Sequence, residues 1–292
     1  MKWNQLLSIS LLALGLCGVP ASQSLAQDII LPITPSNIKA EAHYLLGEAE
    51  KPAVLILHGF LTTNQFHTVV AMATALHDEG YTTLSPTLTL DISQRKSSVK
   101  CNSIHTHTLE KDVLEVAQWV KWLNEQGHKK VVVLGHSSGS QELLEMLHTQ
   151  PQLNIAAAVF TSLFYLNGEE LGSMENEIVF AQNALKQAKP APQKYSFLFC
   201  KNNYFATPES FLSYMKLDRA YILERLTNLT IPSYTIMGGA DKRYQSTGRD
   251  WLTLLEKTGT KLTVVEGANH FFSSEYEFTL QERIVEILNA LE

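Results

Sequence analysis

Residues 135–139, with the sequence Gly-His-Ser-Ser-Gly, place a serine between two glycines where one hydrophobic pattern gives way to another. The unbroken apolar run 131–134 precedes them, and apolar residues at helical spacing follow in 141–148. A strand that turns sharply into a helix exposes the central serine hydroxyl at the carboxyl edge of a sheet. Glycines at both ends let backbone segments approach where a Cβ would clash. The pattern predicts Ser137 as a nucleophile, with an ordinary strand-to-helix turn as the alternative.

A serine nucleophile needs a base that takes its proton and a third group that orients that base. Asp241 lies on a glycine-rich loop directly after the apolar run 232–237, and His270 follows the next apolar run, 262–265. Both therefore come just beyond predicted strands, in the chain order serine, acid, histidine. We expect Ser137, His270 and Asp241 to form a catalytic triad. Taken singly, a turn aspartate and a packed loop histidine are the alternatives.

Attack on a carbonyl also requires two hydrogen-bond donors for the developing oxyanion. The sequence Leu-His-Gly-Phe-Leu at 57–61 follows the apolar run 53–57 and has a glycine where the backbone must turn. We assign one donor to the backbone N–H of Phe60, with Leu61 as the fallback, and the other to that of Ser138. His58 is expected to brace this loop through hydrogen bonds; a second catalytic base is the alternative.

Two other polar features invite interpretation. His105 and His107 lie one residue apart, as two ligands of a metal site could. Because no convincing further ligand lies nearby, we predict no metal site and expect a loop ahead of the amphipathic helix 109–126. Asp218 is a second candidate for the triad acid, although it does not follow a predicted strand.

The pattern of short strands and helices defines the fold class. Alternation of this kind predicts an α/β fold with a mostly parallel central sheet and helices on both faces. The two unbroken apolar runs, 53–57 and 131–134, are expected to be neighbours in the middle of the sheet. From about 166 to 229 the alternation fails, which predicts an inserted helical cap that shapes a substrate pocket. The predicted strands are 53–57, 82–85, 131–134, 155–160, 232–237 and 262–265.

The N-terminal segment resembles a targeting signal. Lys2, an apolar stretch over 11–19 and small residues at 24 and 26 predict a secretory signal peptide, residues 1–26, cleaved near Ala26. The apolar stretch is shorter than the ~20 residues that cross a bilayer, so a transmembrane anchor is the weaker alternative. We therefore expect one domain, 27–292, in the periplasm or secreted. Its mildly acidic composition, with a formal net charge of -6 for the full chain, argues against a nucleic-acid partner.

Secretion changes the interpretation of the cysteines. Cys17 would leave with the signal peptide, so that Cys101 and Cys200 would remain as a pair in an oxidising compartment. Two cysteines allow one intramolecular bridge, which we predict here. Two buried free thiols are the alternative.

Together these motifs resemble the α/β-hydrolase superfamily, in particular its esterase-like and lipase-like serine hydrolases. The resemblance is carried by residues 58–60, 135–139, 239–241 and 267–270. It implies catalytic roles for Ser137, Asp241 and His270, hydrolysis of a small-molecule carboxylic ester through an acyl-enzyme, and neither cofactor nor metal. Ser138 departs from the pattern, since many members carry a large apolar residue there. A peptidase, amidase or thioesterase on the same triad is the alternative, and a non-catalytic binding protein is a further one.

Overall fold

A computed structural model describes residues 26–168, 174–187, 190–243 and 250–291. Apart from Ala26, the predicted signal peptide lies outside these residues. No helix within the described ranges has both the length and the apolar character to span a bilayer.

Eight strands of the described residues form one sheet in the order β1-β2-β4-β3-β5-β6-β9-β10. β1 and β2 pair antiparallel, as do β2 and β4, and all other neighbours are parallel. Their bounds are β1 Ala26–Ile33, β2 Ile38–Leu45, β3 Ala53–Leu57, β4 Thr82–Thr87, β5 Val131–His136, β6 Ala157–Thr161, β9 Ser233–Gly238 and β10 Lys261–Val265. The predicted α/β architecture is confirmed.

The central strands β3 and β5 are neighbours, as predicted, and Ala53 pairs with Val131. Both are fully buried because helices cover both faces. Side chains of β3 alternate between two core layers: Leu55 packs in the layer that contains Val113, and Ile56 in the layer that contains Val69. A strand buried on both sides needs apolar residues at every position, which explains the unbroken runs.

Within the described ranges, five helices cover the sheet. On one face lie α2 (Leu109–Glu125) and α3 (Ser138–Thr149), and on the other lie α1 (His67–Asp78) and α8 (Tyr276–Asn289). A further helix, α7 (Trp251–Lys257), packs beside β10. The α2 helix begins where the sequence predicts, because Thr108 accepts a hydrogen bond from the Lys111 N–H as its N-cap.

The insertion lies between β6 and β9. It contains α4 (Glu175–Leu185), α5 (Pro208–Met215) and α6 (Arg219–Thr227), together with an antiparallel hairpin of β7 (Gln193–Phe197) and β8 (Cys200–Ala206). Sequence analysis predicted the helical cap but not this hairpin. Only alternate residues of the hairpin are buried, among them Tyr195 and Tyr204, because its other face is turned to solvent.

A disulfide between Cys101 and Cys200 joins the β7–β8 hairpin to the loop before α2, with a Cα–Cα distance of 5.5 Å. Backbone hydrogen bonds reinforce the connection: the Phe205 N–H donates to the Cys101 carbonyl at 3.0 Å, and the His105 N–H donates to the Phe205 carbonyl at 2.9 Å. The hairpin is therefore attached to the main body both by a covalent bond and by hydrogen bonds.

We expect loss of this bridge to destabilise the protein. It links residues 99 positions apart, and removal of a cross-link of that span from the unfolded chain costs about 2–4 kcal/mol. Urea unfolding of a Cys101→Ser/Cys200→Ser variant, compared with the unreduced protein, measures the difference. Two titratable thiols in the unfolded, unreduced protein would contradict the assignment.

Candidate active site

Ser137 lies at the tip of a strained turn between β5 and α3. Its backbone has φ 57° and ψ -124°, a conformation that non-glycine residues rarely adopt. The turn leaves no room for side chains beside it: a Cβ on Gly135 would lie 2.7 Å from the Gly139 backbone, and one on Gly139 would lie 2.6 Å from the His58 carbonyl. The Ser137 N–H donates to the Thr161 carbonyl at 2.9 Å, which fixes the turn to β6. This is the elbow that the glycine spacing predicts.

The structure brings Ser137, His270 and Asp241 into one hydrogen-bonded chain. His270 Nδ1 lies 2.7 Å from Asp241 Oδ2, and His270 Nε2 lies 2.9 Å from Ser137 Oγ. A carboxylate only accepts hydrogen bonds, so Nδ1 carries the proton and Nε2 is free to accept that of the serine hydroxyl. Asp241 is 1% exposed. The arrangement has the geometry of an activated serine with an oriented base.

Three contacts that sequence analysis missed hold the acid and the base in place. The Arg243 N–H donates to Asp241 Oδ1 at 2.8 Å, so both carboxylate oxygens are engaged. The Ser162 hydroxyl donates to the His270 carbonyl at 2.7 Å, and Asn269 Oδ1 accepts the Phe271 N–H at 2.9 Å. A backbone donor leaves no signal in residue type, but the serine and the asparagine lie in the loops a few residues after predicted strands, where such residues form turns.

The predicted oxyanion turn lies directly against the elbow. A Cβ on Gly59 would lie 3.1 Å from Ser137 Cβ, so the turn can come this close only because residue 59 is glycine. Ser138 opens α3, where N–H groups have no partner within the helix and the helix dipole favours negative charge. Among the described backbone contacts, none engages the N–H of Phe60. Both assigned donors therefore lie beside Ser137, and no backbone hydrogen bond among the described residues engages either N–H group.

His58 braces this turn, as expected. Its Nδ1 lies 2.8 Å from the Gly59 carbonyl, and its Nε2 accepts the Leu88 N–H at 3.0 Å. Burial lowers the pKa of His58 to about 3, and the nearby charge of Arg95 acts in the same direction. The ring is therefore neutral, with Nδ1 as donor and Nε2 as acceptor, and the backbone engages both nitrogens. Arg95 itself donates to the Leu88 carbonyl at 2.7 Å, a second brace that sequence analysis missed.

Within the described ranges, no group of three or more His, Cys, Asp or Glu side chains is arranged to hold a metal ion, at His105 and His107 or elsewhere. His107 instead lies 3.0 Å from Asp112 Oδ2, and the Tyr214 hydroxyl donates to the same oxygen. His105 stacks on Tyr204 with ring centroids 4.3 Å apart. Both histidines connect the loop before α2 to the cap.

A cavity of about 690 Å³ opens beside Ser137 and His270. Its walls come from the loops after β3, β9 and β10 and from the tip of the β7–β8 hairpin. The volume is within the range of small-molecule sites. Five phenylalanines line it: Phe60, Phe66, Phe164, Phe199 and Phe271.

Solved structures similar to this chain include one described as an α/β-hydrolase, 12% identical with a TM-score of 0.66. The esterase Est1E from Butyrivibrio proteoclasticus is 17% identical, with 90% of this chain and 98% of that chain covered and a TM-score of 0.62. An esterase from Pyrococcus furiosus, Pf2001, is 18% identical, with 91% of each chain covered and a TM-score of 0.62. The thioesterase domain of the curacin biosynthetic pathway is 17% identical, with 90% and 99% covered and a TM-score of 0.63. The chain therefore has the α/β-hydrolase fold that its motifs led us to expect.

Sequence comparisons are less informative. Residues 41–181 match a family described as "Protein of unknown function (DUF1749)". No curated protein matches. The matched segment contains the elbow and the oxyanion turn but neither Asp241 nor His270.

We expect Asp241→Asn to lower the rate at which a fluorophosphonate probe labels Ser137 by about 10³–10⁴-fold, because an amide favours the wrong tautomer of His270. Asp218→Asn is the matched control, since the Asp218 side chain caps α6 by accepting the Tyr221 N–H at 2.8 Å. In-gel fluorescence over time measures both rates. Normal labelling of Asp241→Asn with loss in Asp218→Asn would reverse the assignment of the acid.

Proposed function

We propose that this protein is a serine hydrolase that cleaves small-molecule carboxylic esters. The observation that carries the proposal is the unbroken chain of hydrogen bonds from Asp241 through His270 to Ser137. Because Ser137 is held in a strained turn beside two available N–H groups, nucleophile, base and oxyanion donors converge on one point. Such convergence is the geometric requirement of acyl transfer.

In the acylation step, Ser137 Oγ attacks the ester carbonyl carbon while its proton passes to His270 Nε2. Negative charge collects on the carbonyl oxygen, where the N–H groups of Phe60 and Ser138 stabilise it. The carbon–oxygen bond to the alcohol then breaks, and the imidazolium returns its proton to the departing alkoxide. Asp241 stabilises the imidazolium and holds the imidazole ring in the orientation that the proton transfer requires.

In the deacylation step, water takes the place of the alcohol. His270 Nε2 accepts a proton from the water while the water oxygen attacks the acyl carbon. The bond between that carbon and Ser137 Oγ breaks, and the serine recovers its proton from His270. The products are one carboxylic acid and one alcohol, and the residues return to their starting states without a cofactor or metal.

Two observations support a carboxylic ester as the substrate class. The cavity is mainly apolar and aromatic, and two of the structural neighbours described above are esterases. The curacin neighbour is a thioesterase, which makes a thioester the second candidate. Thioester and ester share the acyl step, so the leaving group separates them, and an amide is the third possibility.

We further propose that the protein acts outside the cytoplasm, in the periplasm or after secretion. The disulfide Cys101–Cys200 supports this location, because such bridges persist in oxidising compartments. The predicted signal peptide, 1–26, is consistent with it. No stable membrane anchor and no nucleic-acid partner form part of the proposal.

We expect purified protein to hydrolyse 4-nitrophenyl esters of short and medium acyl chains faster than the matching thioesters and 4-nitroanilides. Ser137→Ala should lower kcat by at least about 10³-fold, because the nucleophile is lost. Release of 4-nitrophenolate, followed by absorbance, measures the rate. The control is Asp218→Asn, which alters the cap of α6 and not the proton path.

Faster cleavage of anilides or thioesters would replace the ester assignment. Absence of turnover on all three substrate types, with folded protein, would favour the non-catalytic binding protein.

A further inference from the structure

The charge of the cavity lining differs from that of the whole protein. Lys201, Lys242 and Arg243 line the cavity, and among the described lining residues Asp241 is the one acidic side chain. The chain as a whole carries a formal net charge of -6. A positive lining on an acidic protein concentrates anions at this one opening.

The one acidic lining residue, Asp241, acts on Arg243: burial lowers the pKa of Arg243, and the nearby charge of Asp241 opposes that shift. Asp241 is 1% exposed, and its two carboxylate oxygens accept hydrogen bonds from His270 and from the Arg243 N–H. The next described acidic residue along the chain, Asp250, forms an ion pair with Arg219 at 2.5 Å. The exposed Lys201 and Lys242 therefore face the cavity without a carboxylate of comparable exposure among its described lining residues.

The three cations reach the cavity from two directions. Lys201 belongs to β8 of the cap hairpin and follows the exposed Phe199 closely in the chain. Lys242 and Arg243 follow the triad acid on the sheet side. Because the disulfide at Cys200 is adjacent to Lys201, the cap cation is held near the main body. Two sides of the opening thus present positive charge.

Arg243 connects this charge to the catalytic histidine. Its guanidinium carbon lies 4.4 Å above the centroid of the Phe164 ring, and that ring lies 5.8 Å from the centroid of His270. A cation stacked on an aromatic face is held over an apolar wall. The wall of the cavity therefore combines rings that accommodate an apolar group with a rim that attracts an anion.

We propose that the preferred substrates are esters with an apolar body and a negatively charged group, such as a carboxylate, that remains attached during cleavage. This rests on the proposed ester hydrolysis and names its substrate class. The apolar body packs on the phenylalanines, and the anion is bound at the rim by Lys201, Lys242 and Arg243. Lysines at an exposed rim act through flexible, long-range attraction and so raise the rate of productive binding.

The test compares 4-nitrophenyl hexanoate with the mono-4-nitrophenyl ester of adipic acid, since both acyl groups have six carbons and only the second ends in a carboxylate. We expect kcat/KM to favour the adipate ester by about ten-fold at 10 mM ionic strength, and this preference to shrink near 1 M, where the Debye length falls from about 30 Å to about 3 Å. In Lys201→Gln/Lys242→Gln the preference should fall by about five-fold or more.

Lys194→Gln is the matched control. Lys194 is an exposed lysine on β7 of the same hairpin and does not belong to the described lining, so its loss should keep the preference within about two-fold of wild type. Circular dichroism verifies that each variant is folded. Equal kcat/KM for the two esters, or a preference that survives the double variant, would overturn the anion site while ester hydrolysis stood. Turnover of neither ester would contradict the proposed function itself.

Discussion

The rest of the site depends on the close contact between two backbone turns at the carboxyl edge of the sheet. Residue 137 must adopt a positive φ, which costs on the order of 1–3 kcal/mol and persists only where surrounding structure enforces it. Close packing provides that enforcement: Gly59 and Gly139 let the two turns contact each other, and Gly135 lets the end of β5 pack on the start of α3. The helix start, the oxyanion donors and the serine hydroxyl are thus fixed by one packing arrangement. Two buried layers, one on each face of the sheet, hold the strands that supply both turns.

How much of the fold can be predicted from the sequence depends on how each strand is buried. Central strands were predictable because burial on both faces requires apolar residues throughout. β1 and β2 were missed, since β2 buries only alternate residues such as Ala40 and Ala42 at the antiparallel end of the sheet. This alternation with a period of two was present in the sequence, but it is a weaker signal of a strand than an unbroken apolar run. β8 presents exposed polar residues over 201–203, and its pairing with β7 rather than its hydrophobicity makes it a strand.

The residues of the candidate site also divide into those that the sequence predicts and those that it does not. Ser137, Asp241 and His270 were predictable because each follows a strand, and parallel strands deliver their ends to one edge. Arg95 and Ser162 were not, because their contacts join distant parts of the chain or use a backbone carbonyl. The contribution of Arg243 was also hidden, since any residue supplies a backbone N–H. Residue type reveals groups that react, whereas most groups that position them, with His58 as the exception, emerge only from the packed structure.

If Ser137 carries the acyl group between the two half-reactions, a covalent acyl-enzyme forms during turnover and can be trapped. Acid quenching during turnover of a slowly hydrolysed 4-nitrophenyl ester, followed by peptide mass spectrometry, locates any covalent adduct. We expect the acyl mass to appear on the peptide that contains Ser137 and to disappear as substrate is exhausted, and we expect Ser137→Ala to acquire no adduct. Turnover with the acyl mass on another residue, or undiminished turnover by Ser137→Ala, would contradict it.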